Sequence, residues 1–215
     1  MVYSLLKPRG KLPTNSSFVQ GWIFELKIIT LFNISVGQRL TLKFRGAPPL
    51  LDSMILCIRS IETYSDNQTF SIDRVGNVMY VPLKWNQGCF DAVYYWKEGD
   101  IPCFAFISCT IAPTHDYKLQ FVASFLEKLY PLTDGLSTRG APMTESILQL
   151  HFWTVVRDDV YESYRHGTVY DIESVLLFDP MFGNFQEDNP RTRVGRLESP
   201  NLLDSLSLGG LGISC

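Results

Sequence analysis

The chain has 215 residues and a formal net charge of −3, with 46% hydrophobic and 13% aromatic side chains. This length fits one domain with appendages, and the apolar fraction is large enough to build a substantial core. The weak negative charge argues against a nucleic-acid partner, because proteins that bind nucleic acids usually present a basic face. A neutral ligand is not excluded.

The cysteines and the apolar stretches indicate in which compartment the protein is expected. Five cysteines without a CxxC pair predict neither a disulfide framework nor a zinc site, and we expect Cys57, Cys103 and Cys109 to be small apolar strand residues. No run of about 18 apolar residues occurs, so we expect no membrane span. Residues 1–10 lack the apolar core of a secretory signal, which favours a cytoplasmic protein, with export independent of a signal peptide as the alternative.

The first half of the chain reads mainly as strands. Residues 1–21 are rich in Pro, Gly, Ser and Lys and predict an irregular arm, while residues 21–30 predict a strand or two. In residues 36–46, Leu and Phe alternate with Arg and Lys, which predicts a strand with one buried face. Residues 53–61 are almost continuously apolar and predict a central strand. Gly76-Asn77 is a two-residue turn of the type that closes hairpins.

The second half continues this pattern. Strands are predicted at residues 78–83, 90–96 and 147–156. Residues 104–111 and 117–122 flank a short polar turn and predict a hairpin. For residues 125–130, a short helical turn and a strand end fit equally well.

We place a domain boundary after residue 158, which leaves residues 22–158 as the predicted domain. Residues 175–178 predict one further strand. From Asp179 onward the composition shifts to Asn, Pro, Arg, Gly and Ser. Residues 159–215 are therefore predicted to be a partly disordered C-terminal extension.

Motifs of familiar enzyme classes do not occur in the sequence. It contains no Gly-x-Ser-x-Gly elbow, no Gly-rich phosphate loop and no His-Glu-x-x-His helix. Asp158 and Asp159 would point to opposite faces of a strand, so we interpret them as part of a solvated loop. His151 and His166 have no acidic partner at metal-ligand spacing, and His115 fits a turn. We therefore expect no catalytic residues, no cofactor and no metal.

Several segments follow one another in a characteristic order. They are a Gly-Gln-Arg-Leu-Thr-Leu strand at residues 37–42, an apolar strand at 54–58, an Arg-ended strand at 70–74, a Gly-Asp turn at 99–100 and a His-Asp-Tyr-Lys turn at 115–118. Over residues 22–156 this order resembles a galectin carbohydrate-recognition domain. The resemblance implies an all-β fold, a two-sheet antiparallel sandwich of the galectin or concanavalin-like jelly-roll type.

The resemblance also implies where a ligand would bind. In that family, sugar is held by a His-x-Asn-x-Arg strand, by an Asn on the next strand, and by a Trp followed shortly by Glu and Arg. Here Arg74 is kept, Leu83 stands at the Asn position and Phe90 at the Trp position, while Trp85 and Asn86 lie close enough to supply substitutes. These five residues are the candidate ligand-binding residues. Each also has a structural interpretation, as a solvated strand end, a core side chain or a turn residue.

Two functions follow from the resemblance. The first is a non-catalytic, lectin-type module that binds a glycan or glycoprotein on the concave sheet with altered or weakened specificity, because most polar sugar partners are replaced. The alternative is a protein–protein interaction module, since a concave face lined by Leu83 and Phe90 suits an apolar partner. A structural, capsid-like domain is a third interpretation, because a fold does not fix a function. The oligomeric state is left open.

Overall fold

The computed structural model describes residues 16–45, 52–65, 70–71, 75–83, 89–130, 148–182, 189 and 191–198. The helices in these ranges are α1 (Ser17–Ile34), α2 (Gln120–Glu127), α3 (Asp158–Tyr161) and α4 (Glu173–Leu176). The strands are β1 (Leu40–Phe44), β2 (Ser53–Leu56), β3 (Ser60–Tyr64), β4 (Phe70–Ser71), β5 (Val78–Pro82), β6 (Ala92–Glu98), β7 (Ile101–Thr110), β8 (Thr114–Lys118), β9 (Leu129–Tyr130), β10 (Gln149–Val156), β11 (Arg165–Tyr170) and β12 (Thr192–Leu197). The predicted all-β class holds only in its coarser form, because most of the described elements are strands but four helices accompany them.

Eight strands form one large sheet in the order β2-β1-β12-β10-β7-β6-β5-β3. The pairs β7/β10, β10/β12 and β3/β5 are parallel, and the other neighbours are antiparallel. The prediction of a purely antiparallel arrangement is therefore corrected. Between β7 and β10 the chain leaves the sheet through β8 and α2, and such a long crossover allows two strands to pair in parallel. Two small sheets, β8/β11 and β4/β9, complete the described strands.

The large sheet is curled. β2 and β3 lie at its opposite edges, yet only residues 57–59 separate them in the chain. Eight flat strands would span about 34 Å, whereas the chain from Leu56 to Ser60 reaches at most about 14 Å. Backbone bonds hold the connection, because the Gly37 amide donates to the Ile58 carbonyl at 2.8 Å and the Arg59 amide donates to the Asn77 carbonyl at 2.8 Å. The prediction of one continuous strand over residues 53–61 was wrong.

Helix α1 lies on the inner face of this curl. Phe24, Ile28 and Leu31 are buried in one apolar cluster with Leu42 from one side of the sheet and Met79 from the other. The helix begins at a cap in which the Ser16 hydroxyl accepts the Val19 amide at 3.2 Å. The strand prediction for residues 21–30 was wrong, since the surrounding sheet tolerates a helix that is apolar on most of its circumference.

The outer face of the sheet is covered by α2. The ring of Phe125 on α2 meets Tyr64, Phe90 and Phe106 edge-on, with centroid distances of 5.2, 5.9 and 5.6 Å. The predicted hairpin over residues 104–111 and 117–122 is not formed, because β8 pairs with β11 and α2 begins at Gln120. In residues 125–130 the helix ends at Glu127 and β9 follows, so both interpretations apply in part.

The C-terminal part of the described chain belongs to the same sheet. β12 pairs with β1 on one side and with β10 on the other, so the predicted separation after residue 158 does not hold for this strand. The strand predicted at residues 175–178 is wrong, because α4 covers Glu173–Leu176. Within the described ranges, no helix combines the length and apolar character that crossing a bilayer requires.

Candidate functional site

Two of the five candidate ligand residues lie in the described part of the chain. Leu83 follows β5 and is 56% exposed, whereas Phe90 precedes β6 and is only 3% exposed. The Phe90 ring packs edge-on against Phe106 at 5.0 Å, which is the core placement that the sequence left as its alternative. Arg74, Trp85 and Asn86 lie outside the described residues.

A cleft opens beside the N-terminal half of α1, against the segment before β6 and the segment from the end of β7 to β8. We call it the α1 cleft, and define it by Phe18, Trp22, Glu25, Asp91, Cys109 and His115. Its volume is about 690 Å³, within the usual range for sites that bind small ligands. Phe90 also lines it, so one sequence-predicted ligand residue reaches its wall.

The helix wall of the α1 cleft is largely aromatic. Phe18, Trp22 and Glu25 are spaced so that they share one side of α1. Phe18 is 63% exposed, so most of its surface is accessible to a ligand. The cleft therefore presents apolar ring surface next to an acidic side chain.

Asp91 forms the opposite wall and is held by the backbone of β7. Its Oδ2 accepts the Cys109 amide at 2.6 Å, and its own amide donates to the Ile107 carbonyl at 2.8 Å. Burial raises the pKa of Asp91 to about 8, and the charge of Glu25 adds to this effect while the Cys109 amide opposes it. At neutral pH this carboxyl group is therefore mostly protonated, and it can both donate and accept hydrogen bonds.

The imidazole and the two thiols of the cleft are neutral. Burial lowers the pKa of His115, and its Nε2 is buried without a hydrogen-bond partner among the described residues. Burial raises the pKa of Cys89 to about 12 and that of Cys109 well above its ordinary value, so neither thiol is an activated nucleophile.

The cysteine prediction holds only in part. Cys103 is buried and Cys109 is partly buried, as expected for apolar strand residues. Cys57 is exposed, because it lies in the short connection between β2 and β3 rather than inside a strand. Within the described ranges, no group of three His, Cys, Asp or Glu side chains is arranged to hold a metal ion.

The comparisons with known proteins return no family model, no curated protein and no solved structure that matches this chain. The site must therefore be interpreted from its own chemistry. Sequence reasoning missed the aromatic wall because residues 18–25 were assigned to an arm and a strand. A helix beginning at the Ser16 cap would have placed Phe18, Trp22 and Glu25 on one side.

Proposed function

We propose that the protein is a non-catalytic, lectin-type module that binds a glycan in the α1 cleft. One observation carries this proposal: the aromatic side chains of Phe18 and Trp22 line the same cleft as the carboxyl group of Asp91. The apolar face of a sugar ring stacks on aromatic side chains, and its hydroxyl groups need polar partners. A protonated carboxyl group supplies a donor and an acceptor in one place.

The expected affinity is modest. Each neutral hydrogen bond contributes about 1 kcal/mol net, and an aromatic contact adds a similar amount. A few such contacts correspond to a dissociation constant of roughly 1 mM. Binding assays should therefore use immobilised or multivalent glycans, in which weak contacts add up.

A galectin-like scaffold remains part of the proposal. It is supported by the order of segments over residues 22–156 and by the combination of a large curled sheet with small additional sheets. Helix α1 covers the inner face of the sheet, where the family resemblance implies a sugar site. We therefore keep glycan binding as the proposed function and assign the binding site to the α1 cleft.

A glycan array followed by calorimetry tests this proposal. Wild-type protein should retain a subset of oligosaccharides, and Trp22→Ala should lose them because the stacking surface is removed. Tyr170→Ala is the matched control, since Tyr170 is an exposed aromatic residue on β11, outside the α1 cleft. An array without any bound glycan, or equal binding by Trp22→Ala and wild type, would contradict the proposal.

The non-catalytic part of the proposal needs its own measurement. Asp91 and Glu25 are two carboxyl groups that influence one another, and such pairs also serve as acid and base in glycoside hydrolysis. Incubation of the protein with each retained oligosaccharide should release no new reducing ends. Release that Asp91→Asn abolishes would identify a hydrolase instead.

A second candidate function is a protein–protein interaction module. Leu83 favours it, because this large apolar side chain is 56% exposed next to the end of β5. A co-purifying protein present in stoichiometric amount, lost with Leu83→Asp and kept with Trp22→Ala, would support this candidate. No partner dependent on Leu83 is expected if the α1 cleft carries the function.

A further inference from the structure

A glycine lies inside helix α1, on the side of the helix that lines the α1 cleft. This residue is Gly21. A glycine inside a helix makes the helix less stable than an alanine would, because glycine loses more conformational freedom on folding. The helix by itself therefore favours another residue at this position.

Packing does not require a glycine here either. A Cβ atom added to Gly21 would meet Cγ1 of Ile111 at 3.8 Å, which is ordinary van der Waals contact, and the φ of Gly21 is not in the left-handed region. Each of the other glycines in the described ranges has a positive φ or a neighbour closer than ordinary contact. They are Gly37, Gly76, Gly99, Gly167 and Gly195.

The missing side chain leaves a small recess in the wall of the cleft. We call the position that a Cβ atom would occupy the Gly21 recess. Apart from the helix backbone and the two chain neighbours of Gly21, Cγ1 of Ile111 is the one heavy atom of the described residues within 4 Å of it. Ile111 also lines the α1 cleft, so the recess is open to a ligand there.

The surroundings of the Gly21 recess suit a methyl group better than a hydroxyl group. A hydroxyl group in the recess would exchange water for contact with an aliphatic carbon, which costs free energy unless a polar partner replaces the water. A methyl group needs no such partner and gains from leaving water. The recess therefore distinguishes between ligands that are otherwise similar.

We propose that the α1 cleft prefers glycans that carry a methyl group, and that Gly21 determines this preference by leaving room for the methyl group against Ile111. This inference rests on the proposed glycan-binding function and specifies its ligand class. Sugars carry methyl groups in two forms, the N-acetyl group and the 6-deoxy position. Trp22 lines the same cleft next to Gly21, so the sugar ring can stack on it while the methyl group fills the recess.

The experiment compares two pairs of sugars by NMR titration, which measures weak binding. The first pair is N-acetylglucosamine and N-formylglucosamine, in which hydrogen replaces the methyl group. The second pair is L-fucose and L-galactose, in which a hydroxymethyl group replaces it. The methyl-bearing sugar should bind roughly fourfold more tightly in at least one pair, as expected for the burial of one methyl group. The pair that shows the preference identifies the form of the methyl group.

Gly21→Ala fills the recess with a methyl group of the protein itself. This variant should bind both sugars of a pair with similar affinity, and it should lose the nuclear Overhauser effect that wild type shows between the ligand methyl group and the Ile111 side chain. Its stability in urea should equal or exceed that of wild type, because alanine favours the helix and fits the space. That measurement shows that the variant is folded.

Gln20→Ala is the matched control, because Gln20 is an exposed residue of the same helix and does not line the cleft. It should keep the full preference. Equal binding within both pairs, a preference that persists in Gly21→Ala, or an equal loss in Gln20→Ala would overturn the inference and leave the glycan-binding function in place. Absence of binding by all four sugars and by every other glycan would overturn both.

Discussion

Asp179 and Arg191 form an ion pair in which Nη1 of Arg191 lies 2.6 Å from Oδ2 of Asp179, and the Asp179 side chain is fully enclosed. The same carboxylate accepts the Leu150 amide at 3.0 Å and the Met181 amide at 3.1 Å. It therefore joins the start of β10 to two other parts of the chain. One is the segment after α4, and the other is the segment before β12. Removal of such a carboxylate leaves buried donors without a partner.

We predict that Asp179→Ala lowers the free energy of unfolding by about 3 kcal/mol or more, measured by urea denaturation. The control is Asp159→Ala, which breaks an exposed pair with Arg157 and should cost less than about 1 kcal/mol. Similar losses for the two variants would show that the Asp179 side chain does not hold these three segments together.

Phe125 supports a second stability prediction. Its ring contacts five aromatic rings from three strands and the segment before β6, and it is fully buried on α2. Phe125→Ala should destabilise the fold by about 3–5 kcal/mol, through lost burial and the cavity left behind. Leu177→Ala is the control, since Leu177 is 70% exposed, and its effect should stay within about 0.5 kcal/mol. A small effect of Phe125→Ala would mean that α2 does not anchor the outer face.

His151 predicts a loss of stability in acid. Its ring lies 5.0 Å from Trp96 and 6.1 Å from Trp153, and burial lowers its pKa from the ordinary 6.5 to about 3, assisted by the charges of Arg191 and Arg193. As pH falls from about 6.5 to about 3, the unfolded chain binds a proton that the folded chain does not, so stability decreases.

His151→Phe keeps an aromatic ring at this position and removes the titration. We expect its free energy of unfolding to exceed that of wild type by a margin that grows as pH falls through this window. Urea denaturation at several pH values measures both curves. Curves that stay parallel would indicate that His151 titrates near its ordinary value in the folded protein.

Local patterns predict some elements of this fold and fail for others. The alternation in residues 36–46 predicts β1 correctly, because Leu40, Leu42 and Phe44 are buried on one face of the sheet. Local patterns do not predict helix α1. Its Ile-rich sequence resembles a strand, and because the helix lies inside the curled sheet it has no clear polar face. Partner choice is non-local as well: the signal for a β7–β8 hairpin is present, yet β8 pairs with β11 from much later in the chain.

The candidate site was even less accessible to sequence reasoning. Phe90 was identified from the family resemblance, and it lines the α1 cleft mainly as a core residue. The chemistry of Asp91 depends on its burial and on the charge of Glu25, which belongs to a helix packed on a different part of the chain. No local sequence pattern around Asp91 indicates that Glu25 raises its pKa.

Asp91 gives the last prediction, a stability that falls as pH rises. The pKa of its carboxyl group is raised from the ordinary 3.8 to about 8, first by burial and then by the charge of Glu25. Between these values the folded chain holds a proton that the unfolded chain has released, so stability is lost as pH rises from about 4 to about 8 and is constant above that. Asp91→Asn retains an amide oxygen that can accept the Cys109 amide, and removes the titration.

We expect Asp91→Asn to gain stability relative to wild type as pH increases through this window, and to keep a constant margin at higher pH. Asp158→Asn, an exposed carboxylate on α3, should run parallel to wild type throughout. Urea denaturation from about pH 5 to about 9 checks all three curves. If wild type and Asp91→Asn ran parallel as well, Asp91 would be ionised at neutral pH, and its carboxyl group would have no proton to donate to a ligand in the α1 cleft.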